Sequence, residues 1–107
     1  MKQPRIKLPK HLDRIRELPC LICKADGSDA CHVRYSSGFY HKRPTGMGEK
    51  PHDFWVVPLC RACHTEQHSM NERDFWDGHA RDPLFIGLLL YAFSGNHEMM
   101  YEIVEAH

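Results

Sequence analysis

The spacing of apolar residues predicts two short strands set between helices. Residues 10–18 place leucine and isoleucine at helical intervals, and Pro19 ends that helix. An apolar run over 54–57 predicts one strand, and a second strand is expected over 29–34, after a turn that contains Asp-Gly. A helix is expected over 61–69, because neither glycine nor proline interrupts that segment.

The chain after residue 69 predicts three more helices. Each begins at a side chain that caps helix N-termini, namely Asn71, Asp82 ahead of a proline, and Asn96. Their methionine and aromatic residues recur at core spacing, which is typical of packing surfaces rather than of a cofactor pocket. The segment 35–52 has no such pattern, and a loop of this length inside a small domain indicates a functional or disordered segment.

Length and charge indicate a single domain. The 107 residues divide into an N-terminal arm and short helix over 1–18, a core over 19–69, and C-terminal helices over 70–107. A net charge of zero argues against a protein that coats nucleic acid through its total charge, although a local basic patch is compatible with it. No apolar leader follows Met1, and the longest apolar stretch, 84–93, is too short to span a bilayer. A cytoplasmic protein without membrane contacts is therefore expected.

Four of the five cysteines form two Cys-x-x-Cys pairs, Cys20/Cys23 and Cys60/Cys63. In a reducing compartment four thiolates are the ligand set of a closed tetrahedral zinc site. The plainer alternative is that one pair is only buried thiol. The second pair and the histidine after it also match the haem c attachment pattern, which normally requires export, and no βαβ pattern supports a thioredoxin-like pair. We expect structural zinc, which leaves Cys31 over.

Three histidines near these cysteines suggest a second site. His64 and His68 are four residues apart on the expected helix, so both imidazoles can reach one metal ion. The metalloprotease signature is absent, because Thr65 follows the first histidine in place of glutamate. His32, on the first expected strand, has the residue type of a general base. The plain alternatives are a solvated helix face for the pair and a hydrogen-bonded core histidine for His32.

The order of these motifs resembles a known family. Cys-x-x-Cys, Cys-His-Val, a long loop and Pro-Leu-Cys-x-x-Cys-His-x-x-x-His, over residues 19–68, are similar to the HNH endonucleases with a ββα-metal core. The segment 46–53, Gly-Met-Gly-Glu-Lys-Pro-His-Asp, resembles a phage and prophage branch of recombination nucleases in that family. The resemblance implies an α+β fold, in which a small zinc-stabilised ββα-metal core carries additional C-terminal helices.

The resemblance also implies roles for single residues. His32 matches the general base, and His64 and His68 match the ligands of a catalytic Mg²⁺, Mn²⁺, Zn²⁺ or Ni²⁺. Cys31 occupies a position where many members carry an Asp or His ligand, and a thiolate suits zinc better than magnesium. The usual asparagine falls near Trp55, which cannot replace it. Asp53, on the same strand face, is therefore expected to orient His32 or to bind the metal.

The implied activity is metal-dependent hydrolysis of DNA phosphodiester bonds, with DNA and a recombination protein as expected partners and the oligomeric state left open. Four cations on or beside the long loop are expected to contact phosphates: Arg34, Lys42, Arg43 and Lys50. Aromatic residues between them can stack on unpaired bases. The alternative is a non-catalytic zinc-ribbon module that binds nucleic acid or protein. Such a module would need the four paired cysteines and none of the three histidines.

Overall fold

The structure is a computed structural model that describes residues 4–107 and contains, within them, five helices and one two-stranded antiparallel sheet. In chain order the elements are α1 (Pro9–Arg16), β1 (Asp29–His32), β2 (Val56–Leu59), α2 (Arg61–His68), α3 (Glu72–Gly78), α4 (Pro83–Ala92) and α5 (His97–Ala106). This order confirms the expected α+β class. The first three residues of the predicted arm lie outside the described residues.

The sheet differs from the sequence expectation at the end of β1 and at both ends of β2. β1 ends at His32, and β2 begins at Val56 and continues through Pro58, which lies opposite Ala30. A proline is tolerated because a two-stranded sheet consists of edge strands, where a missing backbone N–H need not break a ladder. The Pro58 carbonyl also accepts a hydrogen bond of 2.9 Å from the Leu21 N–H, which attaches the preceding segment to β2.

The three C-terminal helices begin at the predicted capping residues. The side chain of Asn71 accepts from the backbone N–H of Asp74, and Asn96 caps α5 in the same way. Asp82 accepts from two backbone N–H groups at the start of α4. These bonds satisfy N–H groups that a helix leaves unpaired, so local sequence was sufficient to place these helix starts.

Helix α4 covers β2, and a glycine permits the close approach. A Cβ atom on Gly87 would lie 3.2 Å from the carbonyl oxygen of Val56. The face of α4 that contains Gly87 is buried, whereas Phe85 and Phe93 remain 43% and 38% exposed. Hydrophobicity alone therefore did not indicate that Phe85 and Phe93, both expected on the apolar side of this helix, stay outside the core. Among residues 4–107, no helix is long and apolar enough to cross a membrane.

Helix α1 is joined to the turn between α4 and α5 through a buried histidine. His11 is 3% exposed, and its Nδ1 lies 2.7 Å from the Ser94 hydroxyl. Its Nε2 is buried without a hydrogen-bond partner in the described part of the chain. Burial, with a smaller contribution from Arg14, lowers the pKa of His11 to about 4, although Asp53 acts in the opposite direction. His11 is thus neutral in the folded domain at neutral pH.

The buried histidine makes stability depend on pH. The unfolded chain takes up a proton on His11 near pH 6.5, whereas the folded chain takes it up only near pH 4. Protonation therefore favours the unfolded chain as the pH falls from above 6.5 to about 4, and the stability of the folded domain decreases over that range. The unfolding free energy of both proteins should fall between pH 7.5 and pH 5. We expect the decrease to be about 2 kcal/mol smaller in His11→Gln than in the wild type. Urea unfolding at both pH values measures this. His97→Gln, which removes an exposed histidine, is the control, and equal pH profiles for wild type and His11→Gln would contradict the assignment.

Candidate metal centres and active site

The four paired cysteines come together in space. The Sγ atoms of Cys20, Cys23, Cys60 and Cys63, called here the four-cysteine cluster, all lie within 4.8 Å of one another. The sulfurs of Cys23 and Cys60 are 3.6 Å apart. Zn–S bonds of about 2.3 Å in a tetrahedron place sulfurs about 3.8 Å apart. The donor type, number and spacing of the four-cysteine cluster therefore fit a zinc ion.

Local backbone geometry forms the two halves of the cluster. The N–H of Lys24 donates to the carbonyl of Cys20 at 2.9 Å, and Lys24 has a φ of 63°, which closes the first loop tightly. In the second loop Cys60 is the N-cap of α2, and its sulfur accepts from the N–H of Cys63. Burial raises the pKa of Cys20, but backbone N–H groups directed at its sulfur outweigh burial and lower the pKa to about 7. This favours the thiolate, which is the metal-binding form.

His32 and Asp53 form a largely buried, hydrogen-bonded pair. The Nε2 of His32, at the end of β1, lies 2.9 Å from Oδ1 of Asp53, which is 1% exposed. The other carboxylate oxygen accepts from the Leu8 N–H at 2.8 Å, and the Arg5 guanidinium is 3.8 Å from Oδ1. Burial raises the pKa of Asp53, but the hydrogen bonds from His32 and Leu8 and the charge of Arg5 outweigh it and lower the pKa. Asp53 is therefore ionised and accepts a hydrogen bond from the Nε2–H of His32.

This hydrogen bond determines which nitrogen of His32 can act as a base. With Nε2–H donating to Asp53, the lone pair of a neutral imidazole is on Nδ1. Within residues 4–107, Nδ1 of His32 has no hydrogen-bond partner. Burial lowers the pKa of His32, and the hydrogen bond to Asp53 opposes that shift without reversing it. His32 is thus neutral near pH 7, with a basic nitrogen directed away from Asp53.

The two helix histidines also converge. The Nε2 atoms of His64 and His68 are 2.9 Å apart, and Nδ1 of His64 lies 3.0 Å from Oδ2 of Asp29. A carboxylate on the far nitrogen of a histidine ligand orients the ring and increases its basicity. Asp29 was not among the residues expected from the sequence. Its place at the first residue of β1, two positions before a Cys-His step, was the only sequence signal for it.

Helix α2 runs alongside β1 in the same direction. Asp29 at the start of the strand contacts His64, and Cys31 near its end lies 3.9 Å from the side-chain oxygen of Gln67. His68 is therefore at the same end of the strand as His32. The charge of Arg34, two residues beyond His32, also contributes to a lowered pKa of His68, after burial and the charge of His64. His32 and His68 thus lie toward the same end of β1.

Cys31 lies apart from the imidazole pair. It is fully buried, and burial raises the pKa of its thiol to about 12, which disfavours a thiolate ligand. Among residues 4–107, one group of three or more His, Cys, Asp or Glu side chains lies close enough together to hold a metal. That group is the four-cysteine cluster, and it does not include Cys31. The position of Cys31 therefore does not support its expected role as a third ligand. The imidazole of His64, which Asp29 orients, and that of His68 are the two donors that α2 offers to a metal.

Of the four predicted phosphate contacts, one is not available. Lys42 is 5% exposed, and its ammonium donates to the carbonyl of Arg34, so its place in the interior contradicts the expected contact. A short bridge between Ser37 and Lys42 turns the side chain inward, which loop composition did not reveal. The other three, Arg34, Arg43 and Lys50, are exposed. Arg5, which the sequence analysis did not select, adds a cation beside Asp53.

Trp55, at the expected asparagine position, belongs to the core. It is 5% exposed, and its carbonyl accepts from the Val33 N–H at 2.8 Å, which extends the strand pairing by one residue. Its N–H donates to the His52 carbonyl in a turn that precedes β2. That turn directs Asp53 to His32, so the residue two positions before Trp55 orients the histidine. The hydrogen bond is the contact that the first of the two expected roles of Asp53 requires, and that role stays a prediction.

Comparison with known proteins gives a family without a described activity. Residues 1–90 match a protein family described as "Protein of unknown function (DUF968)". The chain is 34% identical over 73 residues to "Uncharacterized protein YdfU" of Escherichia coli strain K12. That match covers 60% of this chain and 19% of the E. coli protein, so the chain spans about a fifth of the length of this curated relative. No solved structure matches the chain significantly.

Loss of one cysteine of the four-cysteine cluster should release its metal and destabilise the domain. We expect Cys20→Ser to contain one zinc equivalent less per chain and to melt about 10 °C or more below the wild type, because structural zinc contributes directly to folding. Atomic absorption and thermal unfolding measure the two effects. Cys31→Ala, which removes the fifth cysteine, should keep its zinc. Unchanged zinc content and melting temperature in Cys20→Ser would contradict a structural site.

Proposed function

We propose that this chain, which belongs to the DUF968 family, is a metal-dependent DNA endonuclease with an HNH-like ββα-metal site. The observation that carries the proposal is the hydrogen bond of 2.9 Å between His32 Nε2 and buried Asp53. A neutral histidine with one nitrogen held by a carboxylate and the other unpartnered has the arrangement of a general base. The order β1, β2, α2, with His32 ending β1 and two histidines on α2, supports an HNH-like core.

The proposed reaction is the attack of water on a phosphodiester. His32 Nδ1 takes a proton from the water, and Asp53 stabilises the resulting imidazolium through the bond at Nε2. His64 and His68 would hold a divalent metal ion. Such an ion polarises the phosphate and stabilises the leaving oxygen when it is bound. Two imidazole ligands favour Mn²⁺, Zn²⁺ or Ni²⁺ over Mg²⁺, which prefers oxygen ligands.

The electrostatic surroundings suit a polyanion. The charge of Arg34 reaches His68, after burial and the charge of His64, in lowering its pKa, and Arg5 lies 3.8 Å from the Asp53 carboxylate that holds His32. Lys50 is close enough to contribute, after burial, Asp53 and Arg5, to the pKa of His32. Cations on both sides of the proposed site can hold a phosphate between the base and the metal ligands. The zero net charge of the whole chain makes this local grouping of cations more informative.

Loss of the base should abolish most of the cleavage without unfolding the domain. We expect His32→Ala to nick supercoiled plasmid about 10²–10⁴-fold more slowly with Mn²⁺ than the wild type, because a positioned base contributes that much. Its circular dichroism spectrum and zinc content should be unchanged. Added imidazole should restore part of the rate by occupying the space left by the ring. His97→Ala, which changes an exposed histidine on α5, is the control, and equal rates in His32→Ala and wild type would remove His32 from the mechanism.

The main alternative is a non-catalytic zinc-ribbon module, which the four-cysteine cluster also supports. Metal content separates the two functions. We expect the wild type to bind two metal ions per chain, and His64→Ala with His68→Ala to lose one of them while keeping the melting temperature and the cysteine-bound zinc. Isothermal titration with Mn²⁺ or Ni²⁺ after removal of loosely bound metal measures the second site. One bound metal, unaffected by the double substitution, would favour the module.

A further inference from the structure

A cavity of about 650 Å³ opens beside the proposed active site. Arg5 lines it and also lies 3.8 Å from Asp53 Oδ1, and the neighbouring residue His52 is part of its wall. The rest of the wall comes from the long loop and from the residues that precede β2. The cavity is much larger than one phosphate requires. It falls in the range of about 300–1,000 Å³ that is typical of pockets for small ligands such as a nucleotide.

The cavity wall combines positive charge with aromatic rings. Arg5, Arg43 and Lys50 contribute cations, with Glu49 as the carboxylate among the lining side chains. Arg43 and Lys50 are exposed, and neither has a hydrogen-bond or ion-pair partner in the described part of the chain. Phe54 adds an aromatic ring on the side of β2. Positive charge next to aromatic surface is the combination that binds single-stranded nucleic acid.

The aromatic residues are already stacked. The His52 ring lies 5.3 Å from the Phe54 ring at an angle of 20°, and Phe54 lies 5.4 Å from Tyr91 at 27°. Tyr91 is outside the cavity, so the stack enters it through Phe54 and His52. His52 Nδ1 accepts a hydrogen bond of 2.8 Å from the Ile6 N–H, which leaves Nε2–H as a donor. Because Phe54 is already stacked against both His52 and Tyr91, a nucleobase in the cavity can stack on the His52 ring, which Phe54 holds in place. The Nε2–H of His52 can donate to a nucleotide oxygen at the edge of that ring.

We infer that this cavity binds one unstacked nucleotide next to the scissile phosphate, so that the enzyme prefers single-stranded DNA, or DNA with unpaired nucleotides, to continuous duplex. The inference rests on the proposed nuclease function for its placement beside a scissile bond. Bases in a duplex are stacked and paired, so a base can enter the cavity only where the strand is single or interrupted. A duplex could use the cations of the cavity but not its rings.

Binding in the absence of cleavage tests the inference. The protein carries His32→Ala, retains its zinc and receives no added divalent metal. The probes are a fluorescein-labelled 12-nucleotide DNA strand and a hairpin duplex of the same sequence, followed by anisotropy. We expect the single strand to bind at least tenfold more tightly than the duplex. Phe54→Leu, which removes the ring but keeps an apolar side chain, should weaken single-strand binding at least about fivefold and leave duplex binding within about twofold.

Matched variants control for charge, aromatic content and folding. Arg43→Gln should weaken single-strand binding and reduce the slope of log K against log salt by about 0.7, whereas Lys10→Gln, on the exposed side of α1, should do neither. Phe93→Leu, an exposed aromatic outside the cavity, should bind like the parent. If Phe54→Leu fails to fold, Arg43→Gln on the exposed loop still tests the cavity. Equal affinity for the two probes, or full single-strand binding in both cavity variants, would overturn the inference.

The same proteins separate this inference from the proposed function. Cleavage is measured with His32 intact, on single-stranded and duplex DNA with Mn²⁺. Absence of cleavage on both substrates, together with ring-dependent binding of the single strand, would refute the nuclease and leave the nucleotide site in place. Equal cleavage of both substrates, unaffected by Phe54→Leu, would support the nuclease and refute the nucleotide site.

Discussion

The convergence of the four-cysteine cluster is the constraint on which the remaining structure depends. Its two halves are distant in sequence, yet all four sulfurs lie within 4.8 Å. One half is attached to β2 through the Leu21–Pro58 hydrogen bond, and the other half begins α2. A sheet of two four-residue strands has little stability of its own. The two cysteine loops meet at the base of the strands and so fix the sheet, the long loop and α2 relative to one another. These elements carry the residues of the candidate active site, so its geometry depends on the cluster.

Two imidazole–carboxylate pairs divide the chemistry of that site. Asp53 holds Nε2 of His32 and leaves Nδ1 unpartnered in the described residues, whereas Asp29 holds Nδ1 of His64 and leaves Nε2 facing His68. The carboxylate in each pair thus selects the nitrogen that remains available. In the proposed function, the available nitrogen of His32 would act as the base and that of His64 would bind the metal. Both pairs involve β1, one at its first residue and one at its last.

The N-terminal segment is part of the site and not a separate arm. The backbone of Leu8 donates to the Asp53 carboxylate, and the backbone of Ile6 contacts both His52 and Asp53. Arg5 adds a positive charge to the same carboxylate and to the wall of the cavity. Residues that precede the first helix therefore support three parts of the proposals. They help to orient His32, they supply a positive charge for a phosphate, and they help to form the cavity proposed for a nucleotide.

The sequence by itself determined the elements and the grouping of the cysteines, because capping side chains, prolines and Cys-x-x-Cys loops act over a few residues. The resemblance to a known family also pointed to Asp53 as a partner of His32, but on the expectation that Asp53 lies on a strand, whereas a turn before β2 brings it to His32. The tertiary structure alone decided the contacts of Arg5 and Asp29 and the burial of Lys42 and Cys31. Each of these depends on groups far away in the chain or on the path of a long loop. Burial decided the outcome there, since it leaves a lysine without access to phosphate and raises the pKa of a thiol to about 12.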